Sequence, residues 1–171
     1  MIGKKAMEFT MPGFFEGKIK DFSLKDFKGK WIVLFFYPLD FTFVCPTEIK
    51  GFNEKLSEFK GANAVVLGAS TDSVYSHKAW SETSLGKIDF PLLGDFTKEV
   101  SRSFGILKED EGIAFRATFL IDPEGIIQAY SVNNLDVGRS VSETLRLLKA
   151  LQSKGLCAMD WQPGQKHIQE K

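Results

Sequence analysis

Trp31-Ile-Val-Leu-Phe-Phe-Tyr37 is a continuous apolar and aromatic run, stopped by Pro38 and followed by Leu39-Asp-Phe-Thr-Phe-Val-Cys45-Pro46-Thr-Glu48. A run without polar alternation marks a strand buried on both faces of a sheet. Its neighbours set the architecture. From about Cys45 the spacing of Ile49, Phe52, Leu56 and Phe59 predicts one helix with a shared apolar face. Asn63-Ala-Val-Val-Leu-Gly-Ala69 reads as a second buried strand, and a helical pattern returns over residues 71–80 with Asp72 as its cap. Ala117-Thr-Phe-Leu-Ile121 and Ile126-Ile-Gln-Ala-Tyr130 flank Asp122-Pro-Glu-Gly125, which reads as two strands joined by a turn. Ser140-Val-Ser-Glu143 has capping-box spacing, ahead of a helix presenting Val141, Leu145, Leu148 and Leu151 on one face. The order predicts an α/β domain over residues 1–150, a mixed central sheet flanked by helices, with residues 151–171 as a C-terminal arm.

The 22 basic and 22 acidic residues cancel, so nothing electrostatic draws the chain to nucleic acid or an anionic membrane. The longest apolar run is too short to span a bilayer, and no apolar stretch of signal-peptide length follows Met1-Ile-Gly-Lys-Lys5. These features predict a cytoplasmic protein. Cys45 and Cys157, the two cysteines, make a poor disulfide framework and read as reactive or buried thiols of a reducing compartment. The 16 phenylalanines fit a Phe-rich core, although some can equally cover an oligomer interface.

Cys45 falls just past a buried strand, at the start of a helix, where unpaired N–H groups and the positive end of the helix dipole converge. Pro46 suits a first helical position. An unperturbed thiol, with a pKa near 8.5, is only about 3% thiolate at pH 7. Lowering that pKa by about two units takes roughly 2.7 kcal/mol, more than the ~0.3–1 kcal/mol of one helix end, so a cation is needed as well. Position alone leaves two readings open, a reactive thiolate or an inert buried thiol.

The fuller motif separates them. Pro38-Leu-Asp-Phe-Thr42-Phe-Val-Cys45, with Phe36-Tyr37 before it and Pro46-Thr-Glu48 after it, resembles the active-site signature of the peroxiredoxins. It is most similar to the typical two-cysteine subfamily that includes the bacterial alkyl hydroperoxide reductase C subunit. The likeness continues through Ser70-Thr-Asp72, Ser76-His-Lys-Ala-Trp80, Gly112-Ile-Ala-Phe-Arg116, Val137-Gly-Arg-Ser140 and the segment 157–164. The resemblance implies a thioredoxin-like fold and a cysteine-based peroxidase without cofactor or metal. Cys45 would be the peroxidatic cysteine, Thr42 would hold the hydroperoxide, Pro38 would shield the pocket, and Arg116 would supply the cation. Glu48 and Arg139 match the positions that orient that arginine. A hydroxyl and a guanidinium suit a peroxide, whose two oxygens must lie in line with sulfur while one departs carrying charge.

By the same resemblance Cys157 resolves the sulfenic acid as a disulfide between the chains of a homodimer, which commonly assembles to a decamer. A thioredoxin-like or flavoprotein dithiol would then reduce it. Ala158 stands where members usually have proline. Phe104-Gly-Ile-Leu-Lys-Glu-Asp-Glu-Gly112 lacks the Gly-Gly-Leu-Gly loop of peroxide-sensitive members, and no Tyr-Phe pair follows Cys157, which implies resistance to overoxidation. Other chemistries fit less well. A disulfide oxidoreductase would want cysteine where Glu48 stands, and zinc would want ligand spacing that His77 and His167 lack. His77 reads as a helix residue packing near Trp80, although a cysteine hydrolase would recruit it as a base. A holdase or scaffold is the non-enzymatic alternative, favoured by exposed phenylalanine.

Overall fold

Along Trp31-Ile-Val-Leu-Phe-Phe, the side chains alternate between two buried layers, which is why this stretch forms the centre of the sheet. Ile32, Leu34 and Phe36 pack into one cluster with Leu67, Phe104 and Phe119, while Val33, Phe35 and Tyr37 pack on the other side with Phe52, Trp80 and Leu148. The computed structural model describes residues 1–169. In chain order its elements are β1 (Thr10–Phe15), β2 (Lys18–Ser23), β3 (Trp31–Phe36), α1 (Cys45–Glu54), α2 (Leu56–Gly61) and β4 (Ala64–Ser70). These are followed by α3 (Val74–Trp80), β5 (Leu92–Gly94), α4 (Glu99–Ser103), β6 (Leu107–Lys108), β7 (Ile113–Ala114), β8 (Arg116–Ile121), β9 (Ile127–Asn133) and α5 (Val141–Ser153).

Seven strands form one mixed sheet in the order β2-β1-β5-β4-β3-β8-β9, and β6 pairs with β7 apart from it. β3, β4 and β5 run parallel, β8 runs antiparallel to β3, and β9 runs antiparallel to β8. This is the α/β architecture that the central run predicts. The N-terminal hairpin and β5 have no counterpart in the sequence reading. β2 buries only Phe22 along Lys18–Ser23, so it lacks an apolar pattern, and Pro12 and Gly13 interrupt β1. Gly13 suits this close packing: a Cβ would meet Leu93 Cδ2 and Phe22 Cδ2 at 2.7 Å, so a larger residue would force those side chains to shift.

Three local expectations are corrected. The helix from Cys45 breaks at Lys55 (φ −94°, ψ 8°) into α1 and α2, yet Ile49, Phe52, Leu56 and Phe59 all remain buried on the sheet. Ser73, not Asp72, caps α3, because it is extended (φ −74°, ψ 150°) immediately before the first helical residue and its Oγ accepts from Ser76 N. Asp72 turns instead toward the β3–α1 loop. Only half of the capping box at α5 forms: Ser140 Oγ accepts from Glu143 N, but the Glu143 carboxylate is drawn to Arg146 at 2.6 Å. α5 buries Leu145 and Leu148 and half-buries Val141 and Leu151.

The arm after Ser153 lies back on α5 of its own chain. Trp161 is buried, its carbonyl accepts from Arg146 Nη1 at 2.9 Å, and Ile168 N donates to Leu156 O. No helix among the described residues is long and apolar enough to cross a membrane.

Candidate active site

The site is assembled where three segments converge at the C-terminal end of β3. Cys45 opens α1, Arg116 opens β8, and Arg139 precedes α5. Cys45 is fully buried. Val44 O accepts from Thr47 N and Glu48 N, so the first turn closes around the cysteine, with Pro46 as the second helical residue rather than the first. Arg116 Nη1 donates to Cys45 Sγ at 3.4 Å and to Glu48 Oε2 at 2.8 Å, while its Nε donates to Leu135 O at 2.6 Å. Residues 68 and 71 positions apart in sequence thus meet around one sulfur.

Glu48 is what brings the two arginines together. Its Oε1 accepts from both the backbone N and the Nε of Arg139 at 2.8 Å, and its Oε2 accepts from Arg139 Nη2 as well as from Arg116. Arg139 Nη1 also donates to Phe36 O and Ala117 O, tying the ends of β3 and β8, and its guanidinium lies 5.3 Å from the Phe35 ring centroid. Burial pushes the Glu48 carboxyl up, but the hydrogen bonds and charges of Arg139, joined by Arg116, outweigh it and hold it below the ordinary 4.5. Two guanidiniums against one carboxylate leave one positive charge in excess beside the sulfur. That excess can hold negative charge on sulfur or on an oxygen leaving a substrate.

Pro38 is buried and Thr42 is half-buried in the loop between β3 and α1, with Thr42 Oγ1 donating to Leu39 O at 2.9 Å. The hydroxyl oxygen keeps its lone pairs free of that bond. Cys157 lies elsewhere, half-buried at the end of α5, its Sγ near Ser153 Oγ at 3.4 Å, Gly155 O at 3.6 Å and Ala150 O at 3.8 Å. Among the described residues the two sulfurs have no hydrogen-bond partner in common, and both cysteines are free thiols.

A second buried network underlies the loop, and the sequence reading missed most of it. Tyr37 OH donates to Asp40 Oδ1 at 2.8 Å, Asp40 Oδ2 lies 2.8 Å from His77 Nδ1, and His77 Nε2 lies 3.0 Å from Leu93 O. Asp40 N donates to Asp72 Oδ2. Burial and the Asp40 charge push the Tyr37 phenol well above 10.0, so it stays protonated as a donor. Both ring nitrogens of His77 are therefore occupied away from Cys45, which removes it as the base of a cysteine hydrolase. The available signal was Asp40 itself, a carboxylate between Pro38 and Phe41 beside a buried strand.

The Glu48 network has a testable pH signature. A group held below its ordinary value contributes stability that is complete above that value and is lost as pH falls through the folded one. Glu48→Gln leaves two buried guanidiniums without their anion, a loss of about 3–5 kcal/mol. Urea unfolding at pH 7 is expected to show that deficit, and the gap to the unaltered chain should close as pH drops below 4.5. Equal stabilities at pH 7 would contradict the network.

Known proteins resemble the chain along most of its length. The AhpC/TSA family matches residues 2–130. The chain is 51% identical to a putative peroxiredoxin in the rubredoxin operon of Clostridium pasteurianum, over 98% of each chain. It is also 51% identical to peroxiredoxin prdx-2 of Caenorhabditis elegans, over 95% of this chain and 86% of the relative. Among solved structures, the reduced 2-Cys peroxiredoxin of Plasmodium vivax superposes with a TM-score of 0.93 at 40% identity, covering 97% of this chain and 91% of that one. AhpC of Mycobacterium tuberculosis superposes at 0.86 with 38% identity, over 95% of this chain and 98% of that one. The chain therefore belongs to the AhpC/TSA family, as a peroxiredoxin of thioredoxin-like fold: an antioxidant, thiol-dependent peroxidase that uses a thiol reductant against hydroperoxides.

Proposed function

We propose that Cys45 is the peroxidatic cysteine and that it acts on hydrogen peroxide and organic hydroperoxides alike. The observation that carries this reading is the contact of Arg116 Nη1 with Cys45 Sγ at 3.4 Å, inside a buried cluster with one positive charge in excess. The Cys45 thiolate attacks one peroxide oxygen. The S–O bond forms as the O–O bond breaks, and the departing alkoxide or hydroxide takes a proton to leave as alcohol or water. Thr42 and Arg116 hold the two oxygens in line with sulfur, and Pro38 keeps bulk water away. Glu48 and Arg139 fix the plane of the Arg116 guanidinium.

Cys157 of a second copy then attacks the sulfenic acid. A disulfide forms between subunits, water leaves, and a thioredoxin-like or flavoprotein dithiol returns both thiols. Homodimer formation, with further assembly to a decamer, is supported by apolar surface that lacks cover: Phe41, Phe43, Tyr75 and Phe96 are each more than half exposed. The β9 edge of the sheet is also open, with Tyr130 and Val132 exposed. A cytoplasmic location suits two free thiols.

Arg116→Ala is expected to slow the reaction of reduced protein with hydrogen peroxide, followed by stopped flow, by more than about tenfold if about 1.4 kcal/mol of transition-state stabilisation is lost. Arg116→Lys should recover only part of it, because lysine lacks the planar fork. An unchanged rate in the alanine variant would remove Arg116 from the site.

Resolution is read separately. One equivalent of peroxide should give a covalent dimer on a non-reducing gel, and Cys157→Ser should abolish that band. A purely monomeric band in the unaltered protein would rule out resolution between subunits.

A further inference from the structure

The sheet has a gap far from Cys45. β5 begins at Leu92, opposite Gly68, and β1 joins β5 only through Gly13 and Phe14. The first half of β4, residues 64–67, therefore has β3 on one side and no strand on the other. A groove of about 410 Å³ opens there, within the range of roughly 300–1,000 Å³ typical of small-ligand sites. It lies toward the N-terminal ends of β3 and β4, whereas Cys45 follows the C-terminal end of β3.

The lining combines two chemistries. Phe22, Leu56, Val66 and Phe90 are buried around it, while Phe15, Phe27 and Val65 are only half-buried. Lys20, Lys30 and Lys60 also line it and are exposed. None of the three is ion-paired among the described residues, where the paired lysines are Lys55, Lys78, Lys87, Lys108 and Lys149. Lys20 Nζ stands 5.0 Å from the Phe22 ring centroid, which sets a cation directly against the aromatic wall. Asp89, the one acid of the lining, is held by Lys87 at 2.8 Å.

We infer that this groove is a binding site for a medium-chain fatty carboxylate, separate from the peroxide site. The apolar walls remove the alkyl chain from water, a gain that grows with each buried methylene. The unpaired lysines meet the carboxylate with charge-assisted hydrogen bonds. A neutral alkane-like ligand would make no use of the three lysines of the lining, and a short carboxylate would leave the phenylalanines wet. A ligand carrying both parts engages both chemistries of the lining.

Calorimetric titration of the reduced protein with decanoate, kept below its micellar concentration, tests this. Saturable binding is expected at one site per chain, with 1-decanol and acetate each weaker by about tenfold or more. Lys20→Gln, Lys30→Gln and Lys60→Gln combined should weaken decanoate by a similar factor and leave decanol and peroxidase turnover unchanged. Hydrogen exchange read by mass spectrometry should show decanoate protecting segments 20–30 and 60–67. Non-saturable binding, equal affinity for decanol, an unaffected triple variant, or protection confined to segment 38–48 would each overturn the assignment. So would protection of the groove by raised protein concentration alone, which would give it to a second copy of this chain.

Discussion

Glu48 is the residue on which the rest of the site depends. A carboxylate with almost no exposed surface would be costly by itself; here it accepts from two guanidiniums and a backbone N–H, so each oxygen is satisfied at 2.8 Å. That arrangement fixes three separate parts of the chain. α1 is held by Glu48 itself, β8 by Arg116 at its first residue, and the segment before α5 by Arg139. Arg139 then reaches the carbonyls of Phe36 and Ala117, so the ends of the two central strands are bound to the same carboxylate. Removing Glu48 leaves two buried guanidiniums without an anion, and removing either arginine leaves carboxylate hydrogen bonds unmade, which is why the site and the local fold are one structure.

The same cluster faces the sulfur. Its two guanidiniums exceed its one carboxylate by one positive charge, and Arg116 Nη1 directs an N–H at the fully buried Cys45 Sγ at 3.4 Å. The same pocket encloses that sulfur within the first turn of α1, while Cys157 lies against Ala150, Ser153 and Gly155. In the proposed cycle the two needs oppose each other: closure favours attack on peroxide, and opening favours the disulfide. The first turn of α1 and the arm packed along α5 are the segments that must move. Among the described residues, the arm meets α5 through the Trp161 carbonyl on Arg146, His167 on Ser153 and Cys157 against Ser153 and Ala150, with Trp161 buried.

Much of this was legible in the chain because strong patterns carried it. The run 31–36 has no polar residue, so its burial on both faces follows from composition, and the spacing of Ile49, Phe52, Leu56 and Phe59 survives even where the helix breaks. Thr42, Cys45, Arg116, Glu48 and Arg139 were picked out largely through a family resemblance; spacing alone does not bring residues 45, 48, 116 and 139 together. The hidden parts are those stabilised by partners distant in sequence. β1 and β2 form because Gly13 permits close packing against Leu93 and Phe22, a tertiary fact with no local signature. Asp40 and His77 are joined across 37 positions; the place of Asp40 beside a buried strand hints at a buried carboxylate, but nothing local names His77 as its partner.

In the proposed reaction the buried, arginine-paired sulfur of Cys45 is the atom that takes oxygen from the hydroperoxide. Treating reduced Cys157→Ser protein with one equivalent of hydrogen peroxide in the presence of dimedone, and mapping the adduct by peptide mass spectrometry, locates that atom. A sulfenic-acid adduct is expected on the peptide containing Cys45. Consumption of peroxide with no adduct on Cys45 would contradict the proposed reaction.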